Sequence, residues 1–188
     1  MTYTEIAGFI FGIVGIWLTI KENVWCFPIG ILNVTISFFL FREQQLYSDA
    51  LQQVVYFILL GYGWYKWSRG ITSNSLEITG MTTTWITVLT FVSIALAVVM
   101  GTIFDRYTDA TLPYWDSSAT AICFSAQFLV ARKKIENWYL WIIANIMYIG
   151  IYLQKELYLY SILFLIYLIL AFYGLHIWKK QESHQTNR

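Results

Sequence analysis

The sequence predicts an all-α membrane protein with seven transmembrane helices, and three observations support this fold class. Apolar residues make up 58% of the 188 residues and charged residues only 12%, about half of the ~25% that is typical of soluble domains. Polar clusters divide the chain into apolar runs that suit membrane helices. Basic residues concentrate in alternate loops. The composition excludes soluble globular and disordered chains, and a net charge of +1 provides no basic field for nucleic acid.

Seven apolar runs approach the roughly 17–25 residues that a membrane-crossing helix needs. The fifth is the weakest, because it is short and rich in serine and threonine. In chain order the runs are Glu5–Thr19, Val24–Phe41, Ala50–Trp67, Thr84–Phe104, Ser117–Ala131, Trp138–Leu153 and Leu157–Trp178.

The distribution of basic residues predicts the orientation. If the N-terminus is outside, the inner loops and the tail hold nine Lys and Arg residues and the outer loops hold three. Basic residues favour the cytoplasmic side, so we expect a multi-pass protein with its C-terminus in the cytoplasm. The acids concentrate at the outer ends, among them Asp49 and Asp116. They are either ordinary solvated loop residues or a mouth that concentrates a cationic solute.

The chain resembles itself at a shift of 111 residues, which pairs Tyr56 with Tyr167, Gly63 with Gly174 and Trp67 with Trp178. Upstream, Glu22-Asn23-Val24-Trp25 resembles Glu136-Asn137-Trp138 if one gap is allowed. The shift maps spans one to three onto spans five to seven. The fourth span is then a connector that restores the orientation. The prediction is a 3+1+3 arrangement of parallel three-helix repeats, as in the SWEET sugar carriers, with the solute site between the repeats.

This arrangement divides the chain into four parts. They are a first repeat at residues 1–67, a linker with the connector helix at 68–116, a second repeat at 117–178 and a cytoplasmic tail at 179–188.

The sixth span carries one polar and aromatic stripe. Five residues at i, i+3, i+7, i+10 and i+14 share a helix face, namely Trp138, Trp141, Asn145, Tyr148 and Tyr152. A buried amide needs a partner. Asn145 therefore either bonds to another helix or contacts a ligand.

The third and second spans add further candidate site residues. Gln53 and Tyr56 lie on one face of the third span with Asp49 at its outer end, and Asn33 lies in the middle of the second. Pro28 either kinks the second helix or forms a packing notch with Gly30. Aromatic faces, amides and an acidic mouth suit a flat, cationic heteroaromatic solute. An anionic nucleotide fits poorly, because the site has no Lys or Arg.

No catalytic or metal-ligand motif is present, so we expect neither an enzyme nor a bound metal or cofactor. Three groups of residues resemble the PnuC vitamin transporters over nearly the whole chain. They are Gly30-x-x-Asn33-Val34 in the second span, Gln53 with the run from Tyr62 to Trp67 in the third, and Glu136-Asn137-Trp138-x-x-Trp141-x-x-x-Asn145 in the sixth. Pro113-Tyr114-Trp115-Asp116-Ser117 also resembles the entry to their fifth span.

The resemblance implies a SWEET-like homotrimer in the bacterial inner membrane that takes up nicotinamide riboside by facilitated diffusion. Phosphorylation by a separate intracellular kinase makes such uptake one-way. The family also contains thiamin and riboflavin branches, and a thiamin transporter is the alternative for this chain. The resemblance carries Gln53, Trp138, Trp141 and Asn145 over as substrate-binding residues, and more weakly Asn33, Tyr148 and Tyr152.

Overall fold

The computed structural model describes residues 3–43, 47–73, 76–108 and 112–186. These residues form seven helices and no strand, apart from one isolated β-bridge. All seven predicted spans are confirmed as helices. Their bounds are α1 Tyr3–Ile20, α2 Cys26–Glu43, α3 Tyr47–Ser73, α4 Thr83–Tyr107, α5 Pro113–Ala131, α6 Glu136–Gln154 and α7 Tyr158–Thr186.

α3 and α7 extend furthest beyond the predicted spans. α3 continues past Trp67 to Ser73, and α7 continues past Trp178 to Thr186, so most of the predicted tail is a continuation of α7. Of the two alternatives for Pro28, the kink is wrong. α2 begins at Cys26, which places Pro28 in its first turn, where a backbone N–H has no helical partner to lose.

Six of the helices form a closed ring. α1 packs against α2, α2 against α3, α3 against α5, α5 against α6 and α6 against α7, and α7 returns to α1. α4 lies outside this ring against α5. By length and apolar composition α2, α4 and α7 alone among the described helices qualify as membrane spans. α3, α5 and α6 each carry polar residues that line the inside of the ring, among them Gln53, Thr120 and Asn145.

The sequences of the two repeats align without a gap. α1 ends at Ile20 and α5 at Ala131, and α3 begins at Tyr47 and α7 at Tyr158, a shift of 111 residues at both places. The turn after the first helix of each repeat repeats the same backbone, because Glu22 has φ 53° and Lys133 has φ 50°. The expected gap is therefore wrong, and the counterpart of Trp138 is Phe27 rather than Trp25.

α5 is the most buried of the ring helices, although its run is the least convincing in the sequence. Its serines, alanines and Thr120 are packed between neighbours rather than exposed to lipid. The hydroxyls of Ser93 on α4 and Ser125 on α5 lie 2.6 Å apart and join the two helices. The outer face of α4, in contrast, exposes large apolar side chains such as Phe91. A lipid-facing helix is expected to look like this.

One end of the ring is closed by large side chains, and we call it the aromatic end. Its core contains Phe27, Trp67, Trp138 and Trp178 together with smaller apolar residues. Residues 76–82, which precede α4, cover this end. Ile78 in that segment is buried, and Thr79 pairs through its backbone with Lys133 and Ile135.

Candidate functional site: a chamber inside the helix ring

A cavity of about 1440 Å³ occupies the inside of the ring. All seven helices contribute lining residues, and every residue predicted for the site lines it. These residues are Asn33, Asp49, Gln53, Tyr56, Asp116, Trp138, Trp141, Asn145, Tyr148 and Tyr152. The structure thus brings together side chains from four helices that the sequence placed on separate faces.

The floor of the cavity is formed at the aromatic end. Trp138 is 2% exposed and packs edge-on against Trp178, with ring centroids 5.4 Å apart and an angle of 89° between the planes. Phe27 makes the corresponding contact with Trp67 at 5.0 Å and 86°. A glycine on the third helix of each repeat makes room for the ring. A Cβ atom at Gly174 would lie 2.6 Å from two ring carbons of Trp138.

Asn145 lies above this floor. Its residue is 4% exposed and lines the cavity. Within the described part of the chain its side chain has no hydrogen-bond partner. Of the two alternatives for this amide, the helix–helix bond is therefore not formed. A buried amide without a protein partner costs free energy unless a ligand or water bonds to it.

Aromatic rings line one wall from the middle of the cavity towards its open end. Tyr152 is stacked on Tyr148, Tyr160 and Phe164, with centroids 6.0, 5.3 and 5.3 Å away. On another side Tyr56 packs edge-on against Phe124 at 5.1 Å. Such a wall offers flat surfaces to a ring-shaped ligand.

The end of the cavity opposite the aromatic end carries charge, and we call it the acidic mouth. Asp49, Asp116 and Lys155 line it, and the Lys155 Nζ lies 3.3 Å from the Asp116 carboxylate. Burial and the neighbouring Asp116 raise the pKa of Asp49, which precedes the apolar segment of α3, while Lys155 acts in the opposite direction. Lys155 is the only cation among the described lining residues, so the rest of the chamber is uncharged or acidic.

Of the α5 residues, sequence reasoning assigned only Asp116 to the site. Thr120, Cys123 and Gln127 also line the cavity, at i, i+3 and i+7. The signal was present, because this spacing defines one helix face. The polar residues of the fifth run were instead interpreted as a sign of a weak span.

This fold and this chamber define a class of protein. Two parallel three-helix units in a membrane, with a solute-sized cavity between them that opens at one end, are the architecture of a small-molecule carrier.

Comparisons with known proteins identify the family. Residues 2–180 match the family described as nicotinamide mononucleotide transporter, and the chain belongs to this family. It is 28% identical to the nicotinamide riboside transporter PnuC of Escherichia coli (strain K12) over 214 residues, which cover 100% of this chain and 90% of that protein. It is 23% identical over 184 residues to the riboflavin/roseoflavin transporter RibM of Streptomyces davaonensis, covering 94% and 84% of the two chains.

A solved structure shares the fold. The crystal structure of the vitamin B3 transporter PnuC aligns with a TM-score of 0.79 at 17% sequence identity, over 97% of this chain and 83% of that one. The chain is therefore a membrane transport protein of the PnuC type.

Proposed function

We propose that the protein transports nicotinamide riboside across the bacterial inner membrane by facilitated diffusion. The observation that carries this proposal is that Asn145, whose side chain makes no hydrogen bond to another described residue, lines the chamber together with Trp138 and Trp141. Nicotinamide riboside has a flat pyridinium ring, a carboxamide and ribose hydroxyls. The ring stacks on aromatic faces and its positive charge gains about 0.5–2 kcal/mol there, while Asn145 bonds the polar groups.

The charges of the chamber favour the riboside over the mononucleotide. A phosphate group is normally held by Arg, Lys or a helix N-terminus. The described lining residues offer Lys155 alone, and its ammonium already faces Asp116. Asp49 and Asp116 attract a cation to the mouth and repel an anion. The name of the family refers to the mononucleotide, but this site suits its dephosphorylated form.

The distribution of basic residues supports the sidedness of the proposal. Lys21, Lys66, Lys133, Lys179 and Lys180 lie at or near the aromatic end, and the positive-inside rule assigns that end to the cytoplasm. The acidic mouth then faces outward, so substrate enters from outside with the N-terminus on the same side. The uncharged deeper chamber supports downhill transport, and a separate intracellular kinase would trap the product. Following the family resemblance, we also propose a homotrimer.

A titration tests the proposal. Purified protein is titrated with nicotinamide riboside, its mononucleotide, nicotinamide and thiamin. We expect the riboside to bind at least tenfold more tightly than the other three compounds. Trp141→Ala and Asn145→Ala should each weaken riboside binding about tenfold, since loss of a stacking surface or of a buried hydrogen bond costs about 1–3 kcal/mol.

The matched control is Ile146→Ala, which removes a side chain that is 54% exposed next to Asn145 and faces away from the chamber. Its affinity should equal that of the wild type. Unchanged riboside affinity in both site variants would contradict the assignment of the site. Preferential binding of thiamin would show that the substrate is thiamin and would leave the assignment of the fold unchanged.

A second candidate substrate is a flavin. The relative from Streptomyces davaonensis transports riboflavin and roseoflavin according to its name, and the chamber of about 1440 Å³ is large for a riboside. The stacked wall of Tyr148, Tyr152 and Phe164 also suits a three-ring system. Including riboflavin in the titration distinguishes the two, because flavin fluorescence is quenched on stacking against tyrosine or tryptophan.

A further inference from the structure

The aromatic end holds two matching hydrogen bonds that each join one repeat to the other. The Trp67 indole Nε1 donates to the backbone carbonyl of Val130 at 3.2 Å, and the Trp178 Nε1 donates to that of Ile20 at 3.3 Å. Trp67 and Trp178 occupy equivalent repeat positions, and each bonds to the last turn of the first helix of the opposite repeat. Their rings approach to 6.4 Å, so the axis that relates the repeats passes between them.

An ion pair lies on the same axis. The Nζ of Lys133 is 2.7 Å from a carboxylate oxygen of Glu22, and the two residues are separated by 111 positions. They are therefore the same repeat position, which contacts itself across the axis. Both backbones have a positive φ, an uncommon conformation for residues other than glycine. The Lys133 ammonium also lies 4.8 Å from the Trp67 ring.

The floor of the chamber depends on these contacts. Within the described residues the indole N–H of Trp138 is buried without an acceptor. Hydrogen bonding therefore does not fix its ring, and packing against Trp178 and Gly174 does. Moving Trp178 would move Trp138. Trp138, which offers a surface for stacking the substrate, and Trp178, which belongs to the barrier below it, therefore move together.

We propose that Trp67 and Trp178 are positioning residues that form a two-fold latch, with the Glu22–Lys133 ion pair as its clasp. The latch holds the Trp138 ring in place and blocks passage through the aromatic end. Because each indole bond joins the two repeats, the repeats separate at this end only when both bonds and the ion pair break. This inference rests on the proposed transport function, since it names the barrier that substrate must pass.

The native cysteines provide the test. Cys26 is 5% exposed and belongs to the aromatic end, and the chain has one other cysteine, Cys123. In a Cys123→Ala background, inside-out vesicles are treated with a charged, membrane-impermeant maleimide and the labelling rate of Cys26 is measured. Trp67→Phe and Trp178→Phe keep a ring and remove the donor. Each should raise the rate about fivefold, the effect of one ordinary hydrogen bond.

Trp64→Phe is the control on the same helix, since Trp64 is 45% exposed on the outside of the ring. It should label like the parent. Charge reversal provides a second measurement that leaves both indole donors in place. Glu22→Lys and Lys133→Glu should each accelerate labelling, and the double variant, which restores the pair in reverse, should return the rate to within twofold of the parent.

Riboside binding is titrated for every variant in detergent, which separates the two ideas. Absence of riboside binding in the wild-type protein, titrated alongside, would remove the proposed substrate and leave the labelling result valid. The latch is overturned if all four single variants label at the parental rate, or if the double charge reversal labels as fast as the single reversals.

Discussion

Gly174→Ala is the substitution whose effect on the site follows most directly from the structure. The new Cβ atom would lie 2.6 Å from the Cζ2 and Cζ3 atoms of Trp138, whereas carbon atoms prefer a separation of about 3.5–4.0 Å. The ring or the helix must therefore move by about 1 Å. Overpacking of this kind costs about 1–3 kcal/mol, and alanine returns up to about 1 kcal/mol through its better helix propensity.

The displaced ring should affect binding more than stability. We expect a net change of about 0–2 kcal/mol in unfolding free energy, which a thermal melt detects as a small decrease in Tm. A floor ring shifted by about 1 Å should forfeit about half of its stacking energy, or about 1.4 kcal/mol, which corresponds to about tenfold weaker riboside affinity.

The chain offers matched controls for this experiment. A Cβ atom at Gly61 or at Gly150 would have nothing within 4 Å, so alanine there should leave affinity unchanged and Tm equal or higher. Gly63→Ala is the equivalent change in the first repeat. It pushes the Phe27 ring, with one ring carbon at 2.7 Å from the new Cβ atom, and should weaken binding less than Gly174→Ala, because Trp138 is untouched. If Gly174→Ala binds the riboside as Gly61→Ala does, Trp138 is not the floor of the site.

Two further predictions concern the mouth and the contact between α4 and α5. The raised pKa of Asp49 means that its carboxylate is protonated as the pH falls through that raised value, at a higher pH than for a free aspartate. Affinity for a cationic riboside should thus be retained at neutral pH and decrease on acidification. In Asp49→Asn, riboside affinity measured over the same pH range should change less. An identical pH dependence in the variant would assign the decrease to another group. Ser125→Ala removes the 2.6 Å contact with Ser93 and should lower the free energy of unfolding by about 0.6–1.5 kcal/mol, which a thermal melt shows as a lower Tm. Thr90→Ala is the control, because the exposed Thr90 hydroxyl bonds only within its own helix, and it should change Tm little. Equal Tm shifts in the two variants would show that the contact between Ser93 and Ser125 is unimportant.

The sequence predicted the helices and some of the side chains that line the chamber, because both depend on local periodicity. The stripe from Trp138 to Tyr152 needs only the helical repeat to be recognised, and all of its members line the cavity. Whether these residues bind the substrate stays a prediction.

What the sequence did not predict depends on packing between distant segments. Trp67 and Val130 are 63 residues apart, and Trp178 and Ile20 are 158 apart, so no local pattern indicates that they meet. The shift of 111 residues was right, but the pairing of Trp25 with Trp138 was wrong. The two tryptophans are identical residues, whereas the repeats share a large ring packed on a glycine, with Phe27 on Gly63 and Trp138 on Gly174.

The position of α4 gives the two halves of the protein unequal surroundings. α4 covers α5, whereas among the described helices only α2 and α7 pack against α1. Among the described side chains of α1 only Ile20 is buried. Saturation mutagenesis should therefore find that α5 accepts few replacements while the corresponding positions of α1 accept many. A duplicated ancestral unit placed in two different environments would in this way evolve at two different rates.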